Sequence, residues 1–223
     1  MSAAPKVSSR IGSRKVNRLK VAIFVAALMP LTRLVWKAFT ANLGANPIEV
    51  ITRSTGTWTL AFLLITLSVT PLRKLTGIYG LIKFRRMLGL FAFFYAVLHF
   101  LTFVWLDKFF DFQEMIKDVV KRPFITAGFT AFVLLLPLAL TSTSGMIRRL
   151  GGKRWQLLHR LIYVSGIAGV VHYVWLVKKD VRTPIIYACI LGILLGYRLI
   201  VWITTASKRP TVFGGRPAQA SES

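Results

Sequence analysis

The sequence holds one cysteine, three histidines and seven acidic residues in 223 positions. Each scarcity excludes something. A lone thiol, Cys189, cannot close an internal disulfide, build a Cys-based zinc site or ligate an iron–sulfur cluster. It is read as a small buried apolar residue. Charged residues are only 17% of the chain, where a soluble domain carries about 25%. Of these charges 30 are Lys or Arg and 7 are Asp or Glu, a net charge of +23. Hydrophobic residues reach 55%, too many for one globular core. A basic chain this apolar belongs with membrane lipid and not with nucleic acid. There is no internal repeat, and no segment between the apolar runs is long enough for a soluble catalytic domain.

What the sequence does have is long apolar runs. A helix needs about 20 mostly apolar residues to cross a bilayer. Six stretches qualify: 19–39, 57–72, 87–106, 124–140, 157–177 and 184–204. Pro30 is expected to kink the first, which is read as a retained span and not as a cleaved signal, because no small-residue cleavage site follows it. Pro71 is expected to end the second. The expectation is an all-α, polytopic membrane helix bundle of six transmembrane helices. A segment 1–18 precedes it and a polar, Gly/Pro-rich tail, 205–223, follows and is expected to be disordered.

The charges orient the bundle. Eighteen Lys and Arg residues fall in the N-terminal segment, the 73–86 and 141–156 connections and the tail, and ten fall in the opposite connections. The acids Glu49, Asp107, Asp111, Glu114, Asp118 and Asp180 are all on the less basic side, and only Glu222 is not. Both termini are therefore expected to be cytoplasmic. On the outer side, 107–123 is expected to carry a short surface helix with Phe109, Phe110, Phe112, Met115, Ile116 and Val119 on its apolar face.

No Asp or Glu falls within an expected span, which weighs against a proton-coupled transporter. The three histidines, His99, His159 and His172, all do. His99 lies eight residues before Asp107, and His172 six before Lys178, on spans running in the same direction. At 1.5 Å per residue both sit about 9–12 Å from the outer edge. Two imidazoles at one depth on two helices are what a b-type haem in a bundle core requires. His159, 13 residues before His172, lies about 20 Å lower, where a second haem could stack below the first. Arg85, 14 residues before His99, shares its face and matches the depth of His159. Guanidinium is a poor metal ligand but a good partner for a haem propionate. The plainer readings are hydrogen-bonded packing for the histidines and a charged membrane anchor for Arg85. The aromatic cluster Phe91, Phe93, Phe94 and Tyr95 is read as packing or lipid contact. Trp105, Trp155 and Trp175 are read as interfacial belts.

Two stretches, RRMLGLFAFFYAVLHF at 85–100 and LTSTSGMIRRLGGKRWQLLHRLIYVSGIAGVVHYVW at 140–175, carry a resemblance that extends over about 20–204. The sequence resembles the haem-binding membrane subunits of bacterial periplasmic methionine sulfoxide reductase systems (the MsrQ or YedZ type). These belong to the ferric reductase-like transmembrane group that also includes the membrane halves of NADPH oxidases. The resemblance implies that His99, His159 and His172 are the haem histidines. It also implies one or two b haems, and FMN. The first haem helix of the oxidases has two histidines 14 apart, and here Arg85 stands at the first of those positions. The resemblance further implies an inner-membrane location and electron delivery to a periplasmic molybdenum-containing methionine sulfoxide reductase. The implied donor is the quinone pool or a cytoplasmic flavin reductase. Ser144, Gly145, Arg148, Arg149, Gly151, Gly152, Lys153 and Arg154 could hold a flavin phosphate, although loop basicity explains the four cations by itself. Two other functions stay open. A ferric reductase or NADPH oxidase-like system would need a partner for its nucleotide-binding part, and a haem-free transporter or assembly factor would need no haem.

Overall fold

The computed structural model describes residues 13–177 and 180–207. Most of the expected N-terminal segment, most of the tail, and Lys178 and Lys179 lie outside the described residues. Nine α-helices are described: α1 (Ser13–Phe39), α2 (Pro47–Thr76), α3 (Ile82–Leu101), α4 (Phe112–Lys121), α5 (Pro123–Leu140), α6 (Ser144–Leu150), α7 (Gly152–Leu158), α8 (Leu161–Leu176) and α9 (Arg182–Ser207). Six segments are long and apolar enough to cross a membrane: α1, α2, α3 with its continuation to Asp107, α5, α7 with α8, and α9. The architecture is an all-α, multi-pass membrane bundle, with α2 packed along α3 and α5 along α8 as its two closest pairs. The end of the bundle that carries α4 holds every acidic residue among the described residues. The opposite end holds Arg73, Lys74, Arg85, Arg148, Arg149, Lys153 and Arg154, and is called the basic face below.

Helix ends follow local chemistry more than hydropathy. α2 starts ten residues before the apolar run because the Asn46 side chain accepts the Glu49 amide at 3.2 Å and Pro47 occupies the first helical position, both strong start signals. It stops at Gly77, whose φ of 71° suits the left-handed cap. Pro71 does not end it, contrary to the sequence expectation. A proline inside a helix deprives the carbonyl four residues earlier of its donor. That carbonyl belongs to Leu67, which is completely buried, and Arg198 Nη2 of α9 donates to it at 2.6 Å. A guanidinium from another helix thus replaces the missing amide, and the helix runs on.

α3 passes at Thr102 into a π-helical turn, Thr102–Asp107. Phe109 and Phe110 follow with φ of 46° and 64°, an uncommon conformation for bulky residues. Surface helix α4 then exposes Phe112, Ile116 and Val120 and turns Met115 and Val119 toward the bundle. Its buried anchor is ionic. Lys108, 8% exposed, sits 2.6 Å from Asp118, with Glu114 at 3.3 Å, and Arg122 meets Asp118 at 3.1 Å. The hydrogen bond to Asp118 holds the Lys108 ammonium above its ordinary value of 10.5, against the opposing effect of burial. A raised lysine stabilises the fold fully below its ordinary value and loses that contribution as pH rises through the raised one. Thermal stability from this cluster should therefore stay level through neutral pH and fall only in strong alkali. Asp118→Asn should cost about 3 kcal/mol, the low end for breaking a buried pair, because Glu114 remains for Lys108. Unfolding of the detergent-solubilised variant across pH checks both.

α1 is peripheral. It is fastened by Tyr95, whose hydroxyl donates to the Ala27 carbonyl at 2.8 Å, and by Phe24 edge-on to Phe91 at 5.2 Å. Cys189 is exposed on α9 and not buried as expected. The flank of α9 that carries it is uncovered, so a small residue there meets no core.

Candidate functional site

The two closest helix pairs each present one histidine to the space between them. His99 comes from α3 and His172 from α8, and their ring centroids are 6.1 Å apart with the planes inclined at 68°. Both rings are tied by Nδ1 to a main-chain carbonyl of the helix alongside. His99 Nδ1 is 3.1 Å from the Thr52 carbonyl of α2, with Thr55 Oγ1 at 3.4 Å as a weaker neighbour. His172 Nδ1 is 2.6 Å from the Phe124 carbonyl of α5. A carbonyl only accepts, so Nδ1 carries the proton on both rings and Nε2 keeps its lone pair. A metal-ligating histidine normally has this arrangement, with its far nitrogen held by a carbonyl.

Each imidazole also lies directly on a glycine. An added Cβ at Gly56 of α2 would meet the His99 ring at 2.9 Å, and one at Gly128 of α5 would meet the His172 ring at 2.7 Å. Both glycines stand four residues after the carbonyl that binds the same ring. Nothing in the sequence reading singled them out. The available signal was that each is the only glycine in its helix, where glycine costs about 1 kcal/mol against alanine.

Among the described residues no three His, Cys, Asp or Glu side chains gather as an ion-binding cluster. The pair is therefore short of ligands for a bare ion. It suits a metal that brings its equatorial ligands with it, as haem iron does. His99 and His172 would hold such a group through their two free Nε2 lone pairs.

His159 is not part of this pair. It caps α7, where that helix breaks before α8. The break accounts for the 13-residue step to His172, because the two residues are not on one continuous helix. Gly166 and Gly169 of α8 pack against Leu63 and Leu60 of α2. The His159 ring stacks on Trp155 at 3.9 Å and its Nδ1 is 3.0 Å from the Trp155 carbonyl, while its buried Nε2 has no partner. Trp155 Nε1 donates to the Thr141 carbonyl at 2.9 Å, so Trp155 works as a brace and not only as a belt residue.

Arg85 of α3 is half-buried and within electrostatic range of His159, Arg198, Tyr163 and Arg73. Arg198 had no role in the sequence reading, although a lone cation in an apolar span is a strong signal. Besides Leu67 it binds the Tyr163 hydroxyl at 2.8 Å and lies 5.0 Å from the centre of that ring. Arg73 Nε and Arg198 Nε are buried without partners. Arg148 and Arg149 line an open pocket on the basic face with Thr143, Gly145 and Met146. Lys153 and Arg154 are exposed on α7.

Comparison with known proteins adds a family context. The sequence model described as "Ferric reductase like transmembrane component" matches residues 55–170. A protein of Herminiimonas arsenicoxydans is 61% identical over 83% of this chain and 86% of its own length. One of Ralstonia nicotianae is 50% identical over 93% and 96%, and one of Rhodospirillum rubrum 52% over 81% and 87%. All three carry the name "Protein-methionine-sulfoxide reductase heme-binding subunit MsrQ".

Proposed function

The chain belongs to the ferric reductase-like transmembrane family, in its MsrQ group, and from that premise we propose that it is an electron-transfer haem protein of the bacterial inner membrane. On this reading it takes electrons at the basic, cytoplasmic face from the quinone pool or a flavin reductase. It passes them to a periplasmic molybdenum-containing methionine sulfoxide reductase docked at the α4 face. The observation that carries the reading is the pair His99 and His172, 6.1 Å apart, each with Nδ1 committed to a carbonyl.

Bound haem b supplies one-electron chemistry, with iron alternating between ferric and ferrous states. The chain's own residues do the rest. Thr52 and Phe124 hold the tautomer that leaves both Nε2 lone pairs free, so His99 and His172 would be the residues that hold the haem. His159, with its unpartnered Nε2, would be the residue that holds an inner haem. Arg85 is the cation for a propionate of that group. Arg148 and Arg149, with Lys153 and Arg154 on the next helix, are the cations available to an FMN phosphate. Both termini are cytoplasmic on this reading, which turns the α4 face, where the acids of the described residues gather among basic side chains, toward the outer partner.

Purified protein should be red, and its dithionite-reduced spectrum should be that of a b-type cytochrome. The reduced protein should reoxidise when the periplasmic reductase and methionine sulfoxide are added together, and not with either alone. A colourless preparation from haem-replete cells would sink the haem reading. A red protein that stays reduced in the full mixture would sink the choice of partner. Fluorimetry of a heat-released supernatant tests FMN separately.

A further inference from the structure

We infer that Gly56 and Gly128 are positioning residues that set the ring planes and the Nδ1 hydrogen bonds of His99 and His172, and through them the redox poise of the centre. The inference rests on the haem reading above.

The geometry is the same on both sides. In an α-helix the carbonyl of residue i already accepts the amide of residue i+4. It keeps a second lone pair, but the side chain at i+4 stands over it. At Thr52 and Phe124 that position is glycine, so the flank of the helix is open. An imidazole from the neighbouring helix slides into the opening and donates to the second lone pair. The carbonyl cannot be reached in this way with a Cβ present. At Gly128 the added atom would stand 2.7 Å from Nδ1, the nitrogen that bonds Phe124, and 3.0 Å from Cε1 and Cγ. At Gly56 it would stand 2.9 Å from Cε1 and 3.1 Å from Nδ1. Close-packed interiors do not absorb such overlaps without moving the ring. Gly192 and Gly196 of α9 carry no such load, since Cβ atoms there would meet nothing within 4 Å.

A ring pushed off its carbonyl loses the bond that makes it a more basic ligand. A less basic imidazole stabilises ferric iron less, so the midpoint potential rises. Gly128 should matter more than Gly56, because its contact is closer and falls on the bonded nitrogen.

The test uses the full-length holoprotein in detergent, with Gly56→Ala, Gly128→Ala and the controls Gly192→Ala and Gly196→Ala. Readouts are the g values of the ferric low-spin EPR signal and the midpoint potential of the protein that holds haem. In Gly128→Ala the ferrous-to-ferric ratio at fixed potential should rise about tenfold, which is about 59 mV for a one-electron couple. Gly56→Ala should shift less in the same direction, and both g patterns should move while the controls keep wild-type values. A merely structural role would lower yield and leave the surviving spectrum and potential unchanged, and that result overturns the inference. Wild-type protein carries the test if neither variant accumulates. Planes held 68° apart let each ring act on a different iron d orbital and give a highly anisotropic low-spin signal. A rhombic signal, the mark of parallel planes, overturns the inference. Wild-type protein without haem fails the functional reading instead, so the two failures are distinguishable.

Discussion

Membranes carrying His172→Ala, or His99→Ala, are expected to lose the six-coordinate low-spin b-type signal completely, at unchanged levels of inserted protein. The fold has little to lose at either position. The Thr52 and Phe124 carbonyls keep their intrahelical amide bonds when the imidazole is removed, so no buried acceptor is stranded. The rings lie against glycine, and their removal leaves a cavity in the space between the two helix pairs. The cost of each truncation should stay within a few kcal/mol, against complete loss of one of the two residues that would hold the haem. His159→Ala should leave this signal in place, because His159 stands apart at the α7–α8 break, and should remove only an inner haem. The check is a reduced-minus-oxidised difference spectrum of membranes, normalised by immunoblot. Full haem content with an unchanged spectrum in either His99→Ala or His172→Ala would refute the pairing.

The depth argument could be made from sequence because it needs only rise per residue and direction. His99 and His172 lie on spans running the same way at similar offsets from one end of the bundle, and in the structure their ring centroids are 6.1 Å apart. The six spans were legible for a similar reason, since a bilayer imposes length and apolarity on each helix independently. The partners of the rings were not legible. Thr52, Gly56, Phe124 and Gly128 act through main chain and through a missing side chain. They matter only once α2 is known to lie along α3 and α5 along α8, and hydropathy is blind to which helices pair. The break at His159 was hidden for another reason. Residues 157–177 are continuously apolar enough to read as one span, and only the 13-residue step between the histidines signalled that they could not share a face.

Pro71 marks the largest misreading, and correcting it yields the second prediction. A proline at that position should have ended α2, yet the helix continues to Thr76 because Arg198 donates to the Leu67 carbonyl at 2.6 Å. The two residues are 127 apart in sequence and act as one device: the first frees a carbonyl in the apolar interior and the second satisfies it. An unsatisfied main-chain acceptor has no water to turn to at that depth. Arg198→Met keeps most of the side-chain bulk and removes the donor, so it should destabilise the protein by about 2 kcal/mol. Arg198→Met also gives up the Tyr163 hydroxyl and ring contacts, so the single variant does not isolate the Leu67 bond. Pro71→Ala does, because alanine restores the amide that bonds Leu67. In the Pro71→Ala background Arg198→Met should cost less by about 1 kcal/mol, within the coupling range of residues sharing one hydrogen-bonded group. The Tyr163 losses are common to both backgrounds and cancel in the cycle. Thermal unfolding of wild type, both single variants and the double variant in one detergent gives the coupling directly. Strict additivity would mean that the guanidinium is held at Leu67 by its other contacts, and that α2 passes Pro71 without its help.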